Sequence, residues 1–306
     1  MKPLQELVED TYAEGFRSIY GEVLITAHNE RWLKNCVAAV TGHATSTIMC
    51  DCESGVSQWI DVSSAATGGT PDGRPGCVVQ FHVPRFRKDR EKHLERVMLA
   101  RLTQNVLTCP TARCFNQLDV PTFFKLGRKV AYFGDGHQFR DVRYHEPGWV
   151  IPIMAGEFFL SRRFGFRDGI MGGNLWFMGA SADAALAAAE RAAEAAEKVA
   201  GAVLCFPGGV ASSASKAGSK YKFLIASTFA EFCPTLKDKL GEKSRVPDGV
   251  RSITEIVVNG SELETVAAAM KAAIHAAAPT DGLVRITAGN YNGRLGKSFV
   301  HLHPLL

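Results

Sequence analysis

Apolar, β-branched runs alternate along this chain with stretches that open on a capping residue, and the series of elements they predict occurs twice. In the first half, residues 22–27 (EVLITA) read as a strand, Asn29 caps a helix over ERWLKNCVAAV, and Gly42 stands where a left-handed residue closes such a helix. Residues 45–50 (TSTIMC) and 77–83 (CVVQFHV) read as the next strands, the second entered through the turn Pro71-Asp72-Gly73. Asp89 caps a helix through Leu107, and residues 129–133 (KVAYF) read as a strand. The second half repeats strand, helix, strand, strand, helix, strand with 174–179 (NLWFMG), 184–199, 203–206, 253–258, 262–278 and 283–288 (LVRITA), and Ser261 with Glu264 spells a capping box. Gly55-Val56 answers Gly209-Val210, Pro71-Asp72-Gly73 answers Pro247-Asp248-Gly249, and Val130 answers Val284. The predicted fold is α+β: two pseudo-symmetric ferredoxin-like (split βαβ) lobes arising from internal duplication, residues 1–147 and 148–306, the second carrying the active-site strand and loop; two unrelated α/β lobes are the other reading.

The second copy is longer in one place. Residues 206–223 (FPGGVASSASKAGSKYKF) are irregular, polar and glycine-rich, and carry Lys216, Lys220 and Lys222 between two of the most predictable segments of the chain. Glycine admits backbone geometries and close approaches that other residues cannot, and the charge suits an anionic ligand; a solvated loop of small residues is the other reading. The strand at 253–258 carries a carboxyl, Glu255. On a two-residue period it shares a face with Ile253 and Val257, so it emerges from an apolar row where desolvation raises a carboxyl pKa and leaves a neutral hydrogen-bond donor. A carboxylate held in a structural salt bridge is the alternative. Six residues beyond Gly249 lies Glu255, whereas six beyond Gly73 lies Val79, so only the second copy has the acid.

Composition narrows the class. With 306 residues, 46% hydrophobic content and mean hydropathy of −0.02, this is the composition of a soluble globular chain of one large or two smaller domains. The N-terminal stretch lacks the charged and apolar regions of a signal peptide, and no uncharged apolar run is long enough for a membrane span, which predicts a cytoplasmic protein. Eight cysteines include no Cys-x-x-Cys, so reduced, mostly buried thiols are expected and no zinc site. A net charge of +4 is too mild to predict nucleic-acid binding. The charge is clustered in Arg85-x-Arg87-Lys88-x-Arg90, Arg162-Arg163 and the three lysines of the loop. His301 and His303 share one face of a terminal strand-like segment and read as a hydrogen-bonded pair, with no metal predicted. Gly169-x-x-Gly172-Gly173-Asn174 fits neither a Walker loop nor a dinucleotide fingerprint.

Several irregular stretches carry a more specific signal: EDTYAEGF (9–16), VLITA (23–27), TSTIMC (45–50), TPDGRPG (70–76), FGDG (133–136), GEF (156–158), FPGGVASSASKAGSKYKFLIAST (206–228), CPT (233–235), EIVVNG (255–260), AGNYNGRLG (288–296) and HLH (301–303). Together they resemble the formylmethanofuran:tetrahydromethanopterin formyltransferase family over nearly the whole chain. The basic stretch RFRKDREK (85–92) and the tract around 113–128 depart from the family's pattern.

The resemblance implies an acyltransferase-class enzyme that moves a formyl group between the aminomethyl nitrogen of methanofuran, or its bacterial analogue methylofuran, and N5 of tetrahydromethanopterin. Both coenzymes are substrates, and no cofactor is tightly bound. The mild basicity fits a methylotroph that runs from formyltetrahydromethanopterin toward formate. On the matching stretches it implies Glu255 as the catalytic residue, with Gly208, Gly209, Ser213, Ser215, Lys216, Ser219, Lys220, Ser227, Thr228 and Asn259 binding substrate. It further implies a homo-oligomer, dimer or tetramer, with the site near a subunit interface, and amidohydrolase-type and other subunits of a formyltransferase/hydrolase complex as partners. A non-catalytic scaffold subunit and a ligand-sensing regulator are the competing functions. A scaffold would need neither the carboxyl in an apolar strand nor the complete glycine-rich loop beside it, and a sensor would bind ligand without turnover.

Overall fold

The computed structural model describes residues 3–61 and 69–306. The chain divides into two compact units, Ser18–Gly169 and, from both ends of the chain, residues up to Arg17 with Ile170–Leu306. A short helix α1 (Leu4–Leu7) precedes the long strand β1 (Tyr12–Thr26), whose residues 12–17 belong to the second unit and 18–26 to the first.

In the Ser18–Gly169 unit, β1 is followed by helix α2 (Glu30–Thr41), strands β2 (Glu53–Ile60) and β3 (Gly76–Pro84), helix α3 (Arg90–Arg101) and strand β4 (Arg113–Asn116). Antiparallel pairing gives the order β4-β1-β3-β2. The two-residue period divides the strands cleanly. Val23, Ile25, Val79, Phe81 and Val83 pack under the helices against Leu33, Val37, Leu94 and Met98, while Leu24, Val78 and Phe115 face the other way with Val150 and Phe159. The remainder adds β5 (Phe123–Phe124), helix α4 (Leu126–Ala131), and strands β6 (Phe139–Arg143), β7 (Glu146–Ile153), β8 (Gly156–Ser161) and β9 (Phe164–Gly172). Of these, β8 extends the sheet beside β4 in parallel, at Cys114↔Leu160.

Four local readings are corrected here. TSTIMC is a turn, and the second strand is the more polar ESGVSQWI of β2, which earns its pairing from β3 rather than from composition. KVAYF is helical, because Val130 and Ala131 bury one side of α4 while Lys129 points outward; the fourth strand is the four-residue RCFN. Val130 therefore has no counterpart in Val284. Asn29 does cap α2, its Oδ1 accepting the Trp32 N–H at 3.1 Å, but Gly42 is extended at φ −58° and the positive φ falls on His43. Asp89 stands at the start of α3 with its carboxylate drawn off to Arg87 at 2.9 and 3.1 Å.

In the other unit the order is β10 (Asn174–Gly179), α5 (Ala182–Ala196), β11 (Ala202–Leu204), β12 (Val210–Ala211), β13 (Ser215–Ala217), β14 (Ala226–Thr228), α6 (Lys237–Leu240), β15 (Ser252–Gly260), α7 (Leu263–Ala277), β16 (Leu283–Thr287) and β17 (Ser298–His301). The sheet runs β16-β10-β15-β11, and β17 pairs with residues 12–15 of β1. Counting strands within the strand-helix-strand-strand-helix-strand run, both units have the lateral order fourth, first, third, second.

Buried alanines at three- and four-residue spacing, Ala185, Ala188, Ala189, Ala192 and Ala196, let α5 lie close to Ala269, Ala273 and Ala277 of α7. Leu175, Phe177, Ile256 and Val258 form the sheet side of this core. The capping box before α7 does not form: Glu262 is the N-cap without a side-chain bond, and Ser261 Oγ pairs with Thr265 Oγ1 at 3.1 Å. Among the described residues, no helix is long and apolar enough to cross a membrane.

Candidate active site

The sheet face away from α5 and α7 carries a smaller apolar cluster, Trp176, Met178, Val246 and Val250 with Phe229, Phe232 and Ile253 against it, and in this face lies Glu255. Glu255 on β15 pairs with Trp176 on β10, and is buried. Its Oε1 accepts two hydrogen bonds, from Asn174 Nδ2 at 2.8 Å and from Trp176 Nε1 at 2.9 Å. Burial pushes the carboxyl pKa up, and these two donors, which favour the ionised form, pull in the opposite direction. The carboxyl is thus held in one orientation by fixed N–H groups without a cationic partner among them. Asn174 Oδ1 is buried with no hydrogen-bond partner among the described residues, so one acceptor at the site is unspent.

The walls are aromatic. Trp176 meets Phe229 and Phe232 edge-on at 5.7 and 4.7 Å between centroids, and Phe229 lies nearly parallel to Tyr291 at 6.1 Å. Gly289 completes the packing: a Cβ there would stand 2.6 Å from Trp176 Cζ2 and 2.7 Å from Asn174 Nδ2, displacing both donors to Glu255. Tyr291 is half-buried, its phenol donating to the Ser215 carbonyl, and its pKa is pushed up to about 12 by burial first and then by the carboxyls of Glu255 and Glu14.

The glycine-rich loop begins at the same place. Leu204 pairs with Val258, the chain leaves β15 through Pro207–Gly209, and it returns as Val210↔Ile256 and Ala211↔Glu255. That excursion needs φ of 60° at Gly208 and 75° at Gly209, and a Cβ on Gly209 would also lie 2.7 Å from Leu204 Cδ1. Beyond Ala211, Ser213 is exposed, and β13 and β14 form a hairpin with Ser215↔Thr228 and Lys216↔Ser227. Ser219 Oγ accepts the Tyr221 N–H, Ser227 Oγ donates to the Gly218 carbonyl, and Thr228 Oγ1 contacts Cys233 Sγ at 3.4 Å. Lys216, Lys220 and Lys222 are exposed, with Lys220 over the Tyr221 ring.

Asn259, expected as a substrate contact, lies inside the sheet. It is fully buried, with Oδ1 accepting the Gly172 N–H at 2.8 Å and Nδ2 donating to Cys205 Sγ at 3.3 Å, and so braces the strand from within. His301 and His303 also part company: His301 is exposed beside Tyr12, and His303 Nε2 bonds the Val8 carbonyl at 2.9 Å. Neither of two open pockets of about 490 and 390 Å³ in the Ser18–Gly169 unit is lined by a predicted site residue.

Sequence profiles of two families tile the chain: formylmethanofuran-tetrahydromethanopterin formyltransferase over residues 1–153, and the formyltransferase proximal lobe over residues 156–305. The chain belongs to the formylmethanofuran–tetrahydromethanopterin formyltransferase family. The enzymes of that name from Methanocaldococcus jannaschii and Methanosarcina acetivorans are 42% and 43% identical to it over 97% of both chains. Among solved structures, the formyltransferase from Methanosarcina barkeri superposes with a TM-score of 0.92 at 40% identity, covering 100% of both chains. A chain of the formyltransferase/hydrolase complex from Methylorubrum extorquens, solved with methylofuran, gives 0.90 at 37% identity over 100% of this chain and 98% of that one.

Within this formyltransferase, sequence reasoning singles out Glu255 and the loop but not the residues that support them. Asn174 and Trp176 were legible only as strand residues, since nothing in NLWFMG reveals which strand it pairs with. Glu14 lies 241 positions before Glu255 (255 − 14) and reaches the site only through the fold. The one available signal was the run AGNYNGRLG, too rich in small and polar residues for an ordinary strand connection.

The position in the Ser18–Gly169 unit equivalent to Glu255 shifts by one residue from the one the spacing names. Trp176 stands five before the N-cap Ser181, and Leu24 stands five before the N-cap Asn29 (181 − 176 = 29 − 24). Leu24 pairs with Val78 as Trp176 pairs with Glu255. Val78, on the face away from the helices, holds the equivalent position, whereas Val79 packs beneath them. An apolar residue stands there in place of the acid.

Proposed function

We infer that this formyltransferase uses Glu255, in its protonated form, to stabilise the charge that develops on the formyl oxygen. When the amine of one coenzyme attacks the formamide carbon of the other, the new C–N bond forms and the carbonyl oxygen becomes an alkoxide. Collapse then breaks the old C–N bond, restores the carbonyl, and transfers the formyl group, with the attacking amine losing a proton and the leaving amine gaining one. A neutral carboxyl fixed in a dry site donates to that oxygen without reorganisation. The observation that carries this reading is the burial of Glu255 in an apolar aromatic surround with only neutral N–H partners.

The coenzymes are methanofuran or methylofuran on one side and tetrahydromethanopterin, at N5, on the other. Gly208, Gly209, Ser213, Ser215, Lys216, Ser219, Lys220, Ser227 and Thr228 line their approach, the lysines meeting acidic tails. The likeness to a formyltransferase/hydrolase subunit solved with methylofuran supports transfer from the pterin to the furan, followed by hydrolysis to formate on an amidohydrolase-type partner in the cytoplasm. An ultraviolet assay of formyl transfer between the two coenzymes tests the activity, and native mass of the complex isolated from its host tests the partner. No turnover by the intact complex would leave the scaffold reading standing.

The two copies descend, on this reading, from one duplicated ferredoxin-like unit. Support comes from the shared fourth-first-third-second strand order. The boundary of the copies falls between 147 and 148, near the 153/156 junction of the two profiles, although residues 148–169 pack with the first copy.

A further inference from the structure

Glu14 is 1% exposed, and its carboxyl gathers backbone N–H groups from one short stretch of chain. Oε1 accepts from Tyr291 and from Gly293 at 2.8 Å, and Oε2 from Leu295 at 3.0 Å and Gly296 at 3.5 Å. A single side chain therefore fixes four amides of the loop that follows β16, the geometry of an anion nest turned inward onto the protein's own acid. The first of those amides belongs to Tyr291, so the anchor acts at the backbone of the residue whose ring lies against Phe229 and whose hydroxyl donates to the Ser215 carbonyl. Ser215 opens the β13–β14 hairpin four residues after Ala211, the pairing partner of Glu255.

We propose that Glu14 and Tyr291 are a positioning pair: Glu14 sets the 291–296 loop, the loop sets Tyr291, and the Tyr291 hydroxyl holds the 213–228 segment in its coenzyme-binding form beside Glu255. The inference rests on the reading of Glu255 and the glycine-rich loop as the active site. One feature of the structure supports a pre-set arm: Tyr291 is bound at three points, N–H, ring and hydroxyl, each to a different part of the unit.

The test is steady-state kinetics of purified enzyme with both coenzymes for Tyr291→Phe, Glu14→Gln and the double variant, alongside Glu255→Ala. Backbone hydrogen exchange of residues 213–228 is followed in parallel. Tyr291→Phe removes one oxygen and keeps the ring, so folding is preserved. It is expected to raise the coenzyme KM at least fivefold, to leave kcat within twofold, and to speed exchange in that segment alone. Glu14→Gln, with one acceptor atom in place of two and a donor facing other donors, is expected to do the same more strongly, and the double variant to be no worse than Glu14→Gln alone.

Unchanged KM and exchange in Tyr291→Phe would overturn the proposal, as would multiplicative effects in the double variant. If Glu14→Gln does not fold, the Tyr291→Phe result decides the question. Loss of activity in Glu255→Ala with wild-type behaviour of Tyr291→Phe would sink this pair alone; wild-type activity in Glu255→Ala would sink the site itself.

Discussion

Trp176 and Glu255 are direct partners across β10 and β15, both buried, and the indole N–H reaches the carboxyl oxygen at 2.9 Å. The contact opposes the effect of burial, since a donor favours the ionised form and desolvation the neutral one. In Trp176→Phe the ring remains and the donor goes, so the Glu255 pKa is expected to rise further. A hydrogen bond to a charged group is worth about 1.5–3 kcal/mol, which corresponds to about 1–2 pH units. On the proposed mechanism the protonated form acts, so activity falls as pH rises through the Glu255 pKa, and the alkaline limb of the pH–rate profile should move upward by that amount. A limb that stays in place, or moves down, would show that this contact does not tune the acid.

The same group makes stability depend on pH. Its folded-state pKa lies above the ordinary 4.5, so the folded protein holds this proton more tightly than the unfolded chain. The stability so gained is complete below about 4.5 and is lost as pH rises through the folded pKa. Glu255→Gln removes the term. Thermal unfolding should therefore show the variant gaining on wild type as pH is raised from 4.5 and holding a constant advantage once Glu255 is ionised in both states. Parallel Tm curves across the whole range would contradict a raised pKa.

Why some of this was legible in the chain and some was not follows from how far apart the deciding contacts lie. The elements of the C-terminal unit announce themselves because β10, α5, β15 and α7 have unbroken apolar faces, and Glu255 stands out as the one charge within such a strand. In the Ser18–Gly169 unit, local propensity pointed the wrong way at KVAYF, which is helical, and again at two would-be neighbours of β3. TSTIMC has the composition of a strand without a partner, and ESGVSQWI the composition of a turn with one. The supports of the site depend on register and on long-range closure. Trp176 meets Glu255 because of a pairing set by whole strands, and Glu14 meets residues 291–296 because β17 returns to β1.

Salt dependence tests the lysines. Lys216, Lys220 and Lys222 all project from the hairpin region and are exposed, where a single ion pair is worth about 0–1 kcal/mol and is screened by salt. Raising ionic strength should weaken apparent coenzyme affinity in the wild type. Replacing all three lysines by alanine should flatten that dependence. Identical salt slopes would remove the hairpin from the binding surface.

The hairpin tip also bears on self-association. Phe223 is 81% exposed and Ile225 67%, next to a half-exposed Tyr221, an apolar group that a solitary chain gains nothing by presenting to water. Sedimentation at micromolar concentration is expected to show a homo-oligomer, and Phe223→Asp with Ile225→Asp to shift it toward the 33.2 kDa chain. A wild-type protein that sediments only as the single chain with full activity would end this reading.

Glu255 admits two chemical roles, donor to the oxyanion or carrier of the substrate's proton, and two substitutions tell them apart. Glutamine fills nearly the same space, keeps an N–H donor and cannot exchange a proton; alanine has neither donor nor proton. Losing one oxyanion donor costs about 2.7–4 kcal/mol, a factor of about 10²–10³ in kcat. For the donor role, Glu255→Ala should fall by that factor and Glu255→Gln by appreciably less, with KM little changed because the interaction matters mainly in the transition state. The glutamine amide must still be accommodated between Asn174 Nδ2 and Trp176 Nε1, which both donate toward this position. Its carbonyl oxygen can take both bonds, as Oε1 does now, leaving its NH₂ in the place of the acid O–H. That geometry is what lets glutamine substitute for a protonated carboxyl and not for a carboxylate. Equal, complete loss in both variants, with normal folding by circular dichroism, would assign proton transfer to Glu255, and near-wild-type rates in both would remove it from the reaction.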